Sequence, residues 1–420
     1  MKTKAIRNVS GAAMMSAVLA GGAHAEPTLE VLHYWTSGGE SLAINVFADA
    51  LNNAGGKWVD QPVAGGGGDA MNTVLRTRVI AGDPPGMTIL KGPVVTEWAN
   101  AGALADLENV AAAEKWDDIL PPLLSDIVKV DGKYAAVPLD VHRVDWMWVN
   151  PEVLASVDGA VPTTWDEFNT LADKLLEAGI TPLAHGGQPW QDATMFEVVA
   201  LGLGGPDFFR EALVDVNPDA LRSDTMIAVF DQMRRMRGYV DDNFSGRDWN
   251  LATTMVMNGD AAMQIMGDWA KGEFLAANKT PGEDFICAPA PNKGGYILNS
   301  NSFAFFDDPN ASDDAVAGRE LMASLLLSEE AQIEFTLNKG SVPARLGVSR
   351  EPYDICGVRS MDDIEATLAS GTLVPSMAHE MATSSANRGA FLEIITEHFN
   401  SDMSSQEAVE LLVEAIELAQ

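Results

Sequence analysis

The strongest constraint on this chain's fold is the alternation of short apolar strands and amphipathic helices between Leu29 and Lys91. Leu29-Glu30-Val31-Leu32 mixes β-branched and apolar residues and predicts a strand. The stretch His33-Tyr34-Trp35-Thr36-Ser37-Gly38-Gly39-Glu40 breaks it, and Leu42, Val46, Phe47, Ala50 and Leu51 predict a helix over 41–53. Lys57 to Val63 repeats the strand and Ala64 to Gly68 breaks it again. Asp69 then caps a helix through Ile80, with Val74, Leu75 and Val79 facing inward. Met87-Thr88-Ile89-Leu90 is a third strand that delivers Lys91 at its end. This βαβαβ order predicts a parallel sheet covered by helices, with ligands lying beyond the carboxyl ends of the strands. Tyr34, Trp35, Glu40, the glycine turn and Lys91 would then share one crevice edge. Flat rings beside a carboxylate suit a sugar, whose C–H faces stack while its hydroxyls donate. Ser37-x-x-Glu40 is also a capping box, so helix starting alone explains Glu40 equally well.

The rest of the chain repeats the pattern. Helices are predicted over 94–101 and 116–128, with a hairpin around Asp131-Gly132 and an extended crossing from Val137 to Trp146. Thr164 and Glu167 stand in capping-box register before a helix over 165–178, followed by a strand over 181–184 and helices near 191–203, 225–239 and 249–258. Ala261 to Ile265 is a strand ending in Met266-Gly267-Asp268-Trp269, which again sets a tryptophan and a carboxylate at a strand-to-helix turn. Phe285 to Pro289 is extended, and Ile297 to Phe306 reads as one strand carrying Asn299, Asn301 and Ser302. Helices near 312–327, 329–337, 361–369, 388–399 and 405–418 complete the chain.

Lys2, Lys4 and Arg7, an apolar run from Val9 to Ala20 and the Ala23-His24-Ala25 site predict a cleavable secretory leader over 1–25. The expected destination is the periplasm. No later stretch runs to 18 uncharged apolar residues, and residues 26–420 suffice for two domains. The formal charge of −33 becomes three units more negative without the leader, a surface that repels nucleic acid and anionic headgroups. Only Cys287 and Cys356 are present. In an oxidising compartment a disulfide is the natural pairing, with two separate buried thiols as the alternative.

Catalytic and cofactor motifs find little support. The chain has no His-Glu-x-x-His, Gly-x-Ser-x-Gly or Walker lysine loop, and its histidines and cysteines lack metal-ligand spacing. Gly65-x-Gly67-x-x-Ala70 nominally fits a dinucleotide fingerprint, but an exported chain seldom keeps a nicotinamide. No metal and no cofactor are expected. A secreted glycoside hydrolase using Glu40 and Asp268 is the alternative function, because two carboxylates can flank a glycosidic bond.

Five stretches carry a family resemblance: Tyr34 to Glu40, Val63 to Gly68, Val141-His142-Arg143, Pro182 to Trp190 (ending Gly-Gly-Gln-Pro-Trp) and Met266-Gly267-Asp268-Trp269. They resemble periplasmic glucose/mannose-binding proteins of ATP-binding-cassette sugar importers, of the larger maltose-binding type. The resemblance implies an α/β periplasmic binding protein with two discontinuous lobes, a three-segment hinge and the ligand in the interlobe cleft. The expected lobes are 26–140 with 296–342, and 143–290 with 347–420, crossing near 141–145, 288–297 and 341–347. The implied activity is reversible capture of a monosaccharide, glucose or another aldohexose, for delivery to permease subunits in the inner membrane. It implies no chemistry, and a monomer. A chemoreceptor role is compatible with it. Carried over by position, the sugar contacts are Tyr34, Trp35, Glu40, Gly66, Lys91, Trp249, Trp269, Asn301, Lys339 and His379. The family's opening turn has a tryptophan pair, and Tyr34 replaces the first.

Overall fold

The computed structural model describes residues 26–419, so the expected leader lies outside the described residues. Three sheets of four or five strands organise the chain. The first runs Lys57–Pro62, Thr28–His33, Met87–Leu90, Ser302–Phe305, Val137–Pro138. Its first three strands are parallel, pairing Thr28 with Lys57 and Val31 with Met87, so His33, Pro62 and Leu90 end along one edge. Ser302–Phe305 runs antiparallel to Met87–Leu90. The second sheet is Ile286–Pro289, Trp146–Val149, Ala261–Ile265, Thr181–Leu183. Each sheet belongs to its own apolar core. One core draws on residues between Leu29 and Val141 and between Tyr296 and Ala344, the other chiefly on Val144 to Ala290 and Cys356 to Ile416.

The third sheet lies between the cores and is built from Val342–Pro343, Asp140–Arg143, Tyr296–Asn299 and Leu373–Pro375. Its strands are shared: Tyr296 and Leu298 pack into the first core while Ile297 packs into the second. Alternating side chains point to opposite faces of a strand, which lets one segment serve both cores. Leu373–Pro375, absent from the sequence reading, adds a fourth strand beside the three expected crossings. It follows a helix, Ile355–Ser370, that begins six residues before its expected start. In that helix Cys356 belongs to the second core, while Met361 and Ile364 lean on the first.

Other local expectations shift for clear reasons. Residues 297–306 are not one strand: the chain breaks at Ser300-Asn301, whose Oγ and amide are taken by the carbonyl and carboxylate of Asp140. The helix expected over 116–128 splits into Trp116–Ile119 and Pro122–Val128 because Pro121 lies between them and Pro122 opens the second. In Asp69–Ile80 the inner face is Met71 and Leu75, whereas Val74 is exposed. The helix near 191–203 begins at Pro189 and is followed, past a break at Gly205 where φ is +81°, by a further helical segment to Phe209; every residue from Trp190 to Gly202 is buried. Cys287 and Cys356 are disulfide-bonded with Cα atoms 6.0 Å apart, tying the strand Ile286–Pro289 to the start of Ile355–Ser370. Among the described residues no helix is long and apolar enough to cross a membrane.

Candidate functional site

A small cavity lies where the strand ends of the first sheet face the second core. Tyr34, Glu40, Gly67, Asn301 and Lys339 line one wall, Trp190, Trp249, Trp269 and His379 the other, and His142 and Asn299 the floor on the shared sheet. Of the expected contacts, the structure therefore brings Tyr34, Glu40, Trp249, Trp269, Asn301, Lys339 and His379 together.

Glu40 sits in the first turn of helix Gly38–Asn53. Its Oε2 accepts the Ser37 hydroxyl at 3.0 Å, and its Oε1 lies 3.2 Å from Lys339 Nζ. One side chain thus serves both the helix start and an ion pair. Lys339 ends helix Glu329–Lys339, and its ammonium also stands 5.2 Å above the Trp35 ring. Gly340 follows with φ +88°, and a Cβ there would fall 2.2 Å from the Asp268 carbonyl, so the chain needs glycine to bring Lys339 this close to the opposite wall. Gly67 has the same requirement: φ is +79° and a Cβ would strike the Trp190 indole at 2.7 Å.

The aromatic wall is assembled from three separate turns. Trp269 opens helix Trp269–Ala276, 4.8 Å from the His379 ring, 5.4 Å from His142 and 6.5 Å from Trp190, centroid to centroid. Trp249 opens helix Trp249–Asn258, and the Trp190 indole N–H donates to Gln188 Oε1 at 2.8 Å. His379 Nε2 lies 3.0 Å from Thr194 Oγ1. Burial, then the positive charge of Lys91, pushes its pKa well below the usual histidine value, so it is neutral.

The floor is electrostatic. His142 Nδ1 bonds the Asp268 carboxylate and Nε2 lies 2.9 Å from Asp140 Oδ2. Burial opposes its charge, but the two carboxylates outweigh it and raise its pKa to about 9. Asp140 also accepts the Asn301 amide at 2.9 Å, so Asn301 is held by a side chain from the crossing strand. The Oδ1 atoms of Asn299 and Asn301 are buried without a partner, although both residues line the cavity. Such acceptors call for a donor, which a ligand hydroxyl or a water can supply.

Three expected contacts stand elsewhere. Trp35 is 1% exposed and packs against Phe303 and Phe335 in the first core, because adjacent residues at the strand end point opposite ways. Gly66 does not line the cavity; it packs against Trp190 and Trp249, and its neighbour Gly67 takes the wall position. Lys91 stands behind Tyr34, 5.5 Å from its ring centroid and 3.5 Å from Glu380 Oε2. Its burial opposes the charge, yet Tyr34 and Glu380 hold its pKa above the usual lysine value. Asp268 is engaged by His142 and the Arg143 amide and Glu40 by Lys339, so the two carboxylates expected of a hydrolase are each already paired. The residues that sequence reasoning left out of the site are Gly67, His142, Trp190 and Asn299. All lay in stretches it had quoted, and only the side each faces was undetermined.

Contacts across the cavity join its two sides. Gly39 N–H donates to Glu273 Oε1 at 2.7 Å, Asn72 to Glu380 at 3.1 Å, and Arg388 Nη1 to Asp69 at 3.0 Å.

The family described as bacterial extracellular solute-binding protein matches residues 38–332. Among similar chains, the "Probable sugar-binding periplasmic protein" of Brucella suis biovar 1 is 47% identical over 398 residues, covering 94% of each chain. The protein of the same description from Rhizobium meliloti is 47% identical over 409 residues, covering 97% of each. A solved chitin oligosaccharide binding protein shares the fold with a TM-score of 0.79 at 19% identity, covering 94% of this chain and 99% of that one.

Proposed function

The chain belongs to the bacterial extracellular solute-binding protein family, and we propose that within it the protein captures a neutral aldohexose in the periplasm for an ATP-binding-cassette importer. One observation carries the reading: a single small cavity sets three tryptophans and a neutral histidine against an ion pair and two unpartnered amide oxygens. Rings cover the apolar faces of a pyranose, and the polar wall answers its hydroxyls. The Lys339 ammonium is engaged by Glu40, so a phosphorylated or acidic sugar would find no free cation there. The relatives' description as sugar-binding and periplasmic supports the ligand class and the compartment.

Glucose is the first candidate, then mannose. The proposed lobes are 26–140 with 296–342 and 143–290 with 347–420, a division the two cores support, and the monomer hands its sugar to permease subunits by opening about the shared sheet. Charged hydrogen bonds of about 1.5–3 kcal/mol each make micromolar affinity, near −8 kcal/mol, attainable for a monosaccharide. Titration calorimetry against aldohexoses, pentoses and disaccharides, with product analysis, tests this. Micromolar binding of glucose without turnover is expected. Binding confined to oligosaccharides, or release of reducing sugar, would overturn it.

A further inference from the structure

The buried helix Pro189–Phe209 carries polar groups that apolar packing alone does not call for: Gln191, Asp192, Thr194 and Glu197 are all inaccessible. Trp190, Thr194 and Glu197 follow at intervals of four and three, so they share one helical face. Trp190 lines the cavity, Thr194 Oγ1 reaches His379, and Glu197 reaches the turn that carries His379. Glu197 Oε2 accepts the backbone amides of Met377 at 2.7 Å and Ala378 at 3.0 Å, and Oε1 accepts the Ser376 hydroxyl at 2.6 Å. Ser376 Oγ in turn accepts the His379 amide at 3.1 Å. Glu380, next in the chain, has φ +63°; its carboxylate accepts from Asn72 and stands 3.5 Å from Lys91 on the opposite wall. Three hydrogen bonds between one turn and one buried carboxyl group hold that turn in a single geometry.

We propose that Glu197, with Thr194, is a positioning residue that sets His379 and Glu380 and through them the shape of the aromatic wall, without touching the ligand itself. Burial is the largest influence on Glu197 and lifts its pKa to about 8, so a neutral amide is a close substitute. Glu197→Gln keeps a carbonyl oxygen for the two backbone amides. Glu197→Leu keeps the volume and strands both donors in the core.

The test uses the full chain carrying Glu197→Gln, Glu197→Leu or Thr194→Val, and glucose as the probe, which rests on the sugar-capture reading. Melting temperature, the glucose dissociation constant and the His379 imidazole resonances of the ligand-free protein are recorded. Glu197→Gln should bind within about threefold of the native chain, and Glu197→Leu about tenfold or more weakly, with Thr194→Val between them. The His379 resonances should move in the Leu and Val variants and stay nearly in place with Gln. Unchanged resonances and affinity in Thr194→Val, and in Glu197→Leu if it folds, would overturn the assignment. Should the native chain bind no glucose, the sugar reading fails, while the ligand-free resonances still decide the role of Glu197.

Discussion

On one wall of the cavity Glu40, Lys339 and Asn301 are held by ion pairs and hydrogen bonds that cross between elements far apart in sequence. On the other, Trp190, Trp249 and Trp269 are held by ring-to-ring packing and helix starts, and the one titratable group, His379, is kept neutral. The polar wall therefore gains direction, and the aromatic wall gains area. A buried charge pair contributes little net stability but is costly to break, whereas an aromatic contributes with the area it covers. The two walls should therefore fail differently. The polar one loses folding when its support is cut, and the aromatic one loses ligand.

The largest effect expected is for Trp35→Ala. Trp35 lies beneath the polar wall in the core, so its removal should cost about 3–5 kcal/mol of stability, read as a lower denaturation midpoint. If stability instead held and affinity vanished, Trp35 would belong to the wall. Reducing Cys287–Cys356, which lies on the aromatic side, should remove about 2–4 kcal/mol by freeing the 69-residue loop in the unfolded chain. Glucose affinity at a temperature where the protein stays folded should barely change; a large loss would mean that the bond shapes the aromatic wall directly.

Trp269→Ala makes the sharpest contrast with Trp35→Ala. Truncation removes stacking area and lets water reach the neighbouring charged hydrogen bonds. The expected cost is at least about 2 kcal/mol of binding, roughly 30-fold, with near-native apo melting. A collapse of apo stability with unchanged affinity in the folded fraction would make it a packing residue.

The smallest effect concerns the floor between the walls. His142 has a folded pKa raised to about 9, so its stabilisation is full below the unfolded histidine value and is lost as pH rises through 9. Glu197, raised to about 8, acts in the same direction, because a carboxyl kept neutral by burial disfavours ionisation as pH rises. Stability should fall between pH 7 and pH 9, and His142→Gln should shrink that fall to the part below pH 8 that Glu197 supplies. A native curve that is flat there would mean His142 is neutral between its aspartates. Toward acid the sign reverses: buried His379 and His398, the latter lowered to about 4, must charge, and stability declines as pH drops below the unfolded histidine value.

The family, the α/β class and the list of chemically equipped turns could be read from residues alone. Strand and helix periodicity are local, and tryptophans, glycines and carboxylates collected where strands ended. The cysteine pairing was the natural reading of two cysteines in a chain expected to be exported, and the folded chain, not the sequence, excludes two separate thiols. What the tertiary structure decided was sidedness and partnership. Tyr34 and Trp35 differ by one residue, and only the packing of Phe303 and Phe335 sends the second into the core. Gly66 and Gly67 are equivalent in sequence, and the Trp190 ring chooses between them. His142 looked like one more polar residue in an extended crossing until Asp140 and Asp268, one in its own strand and one 126 positions away, closed on it. Glu197 sat in a helix predicted near 191–203, with nothing in the sequence to say what it meets. Periodicity reports which residues share a face, but what that face meets is set by contacts between distant segments, and those exist only once the chain has folded.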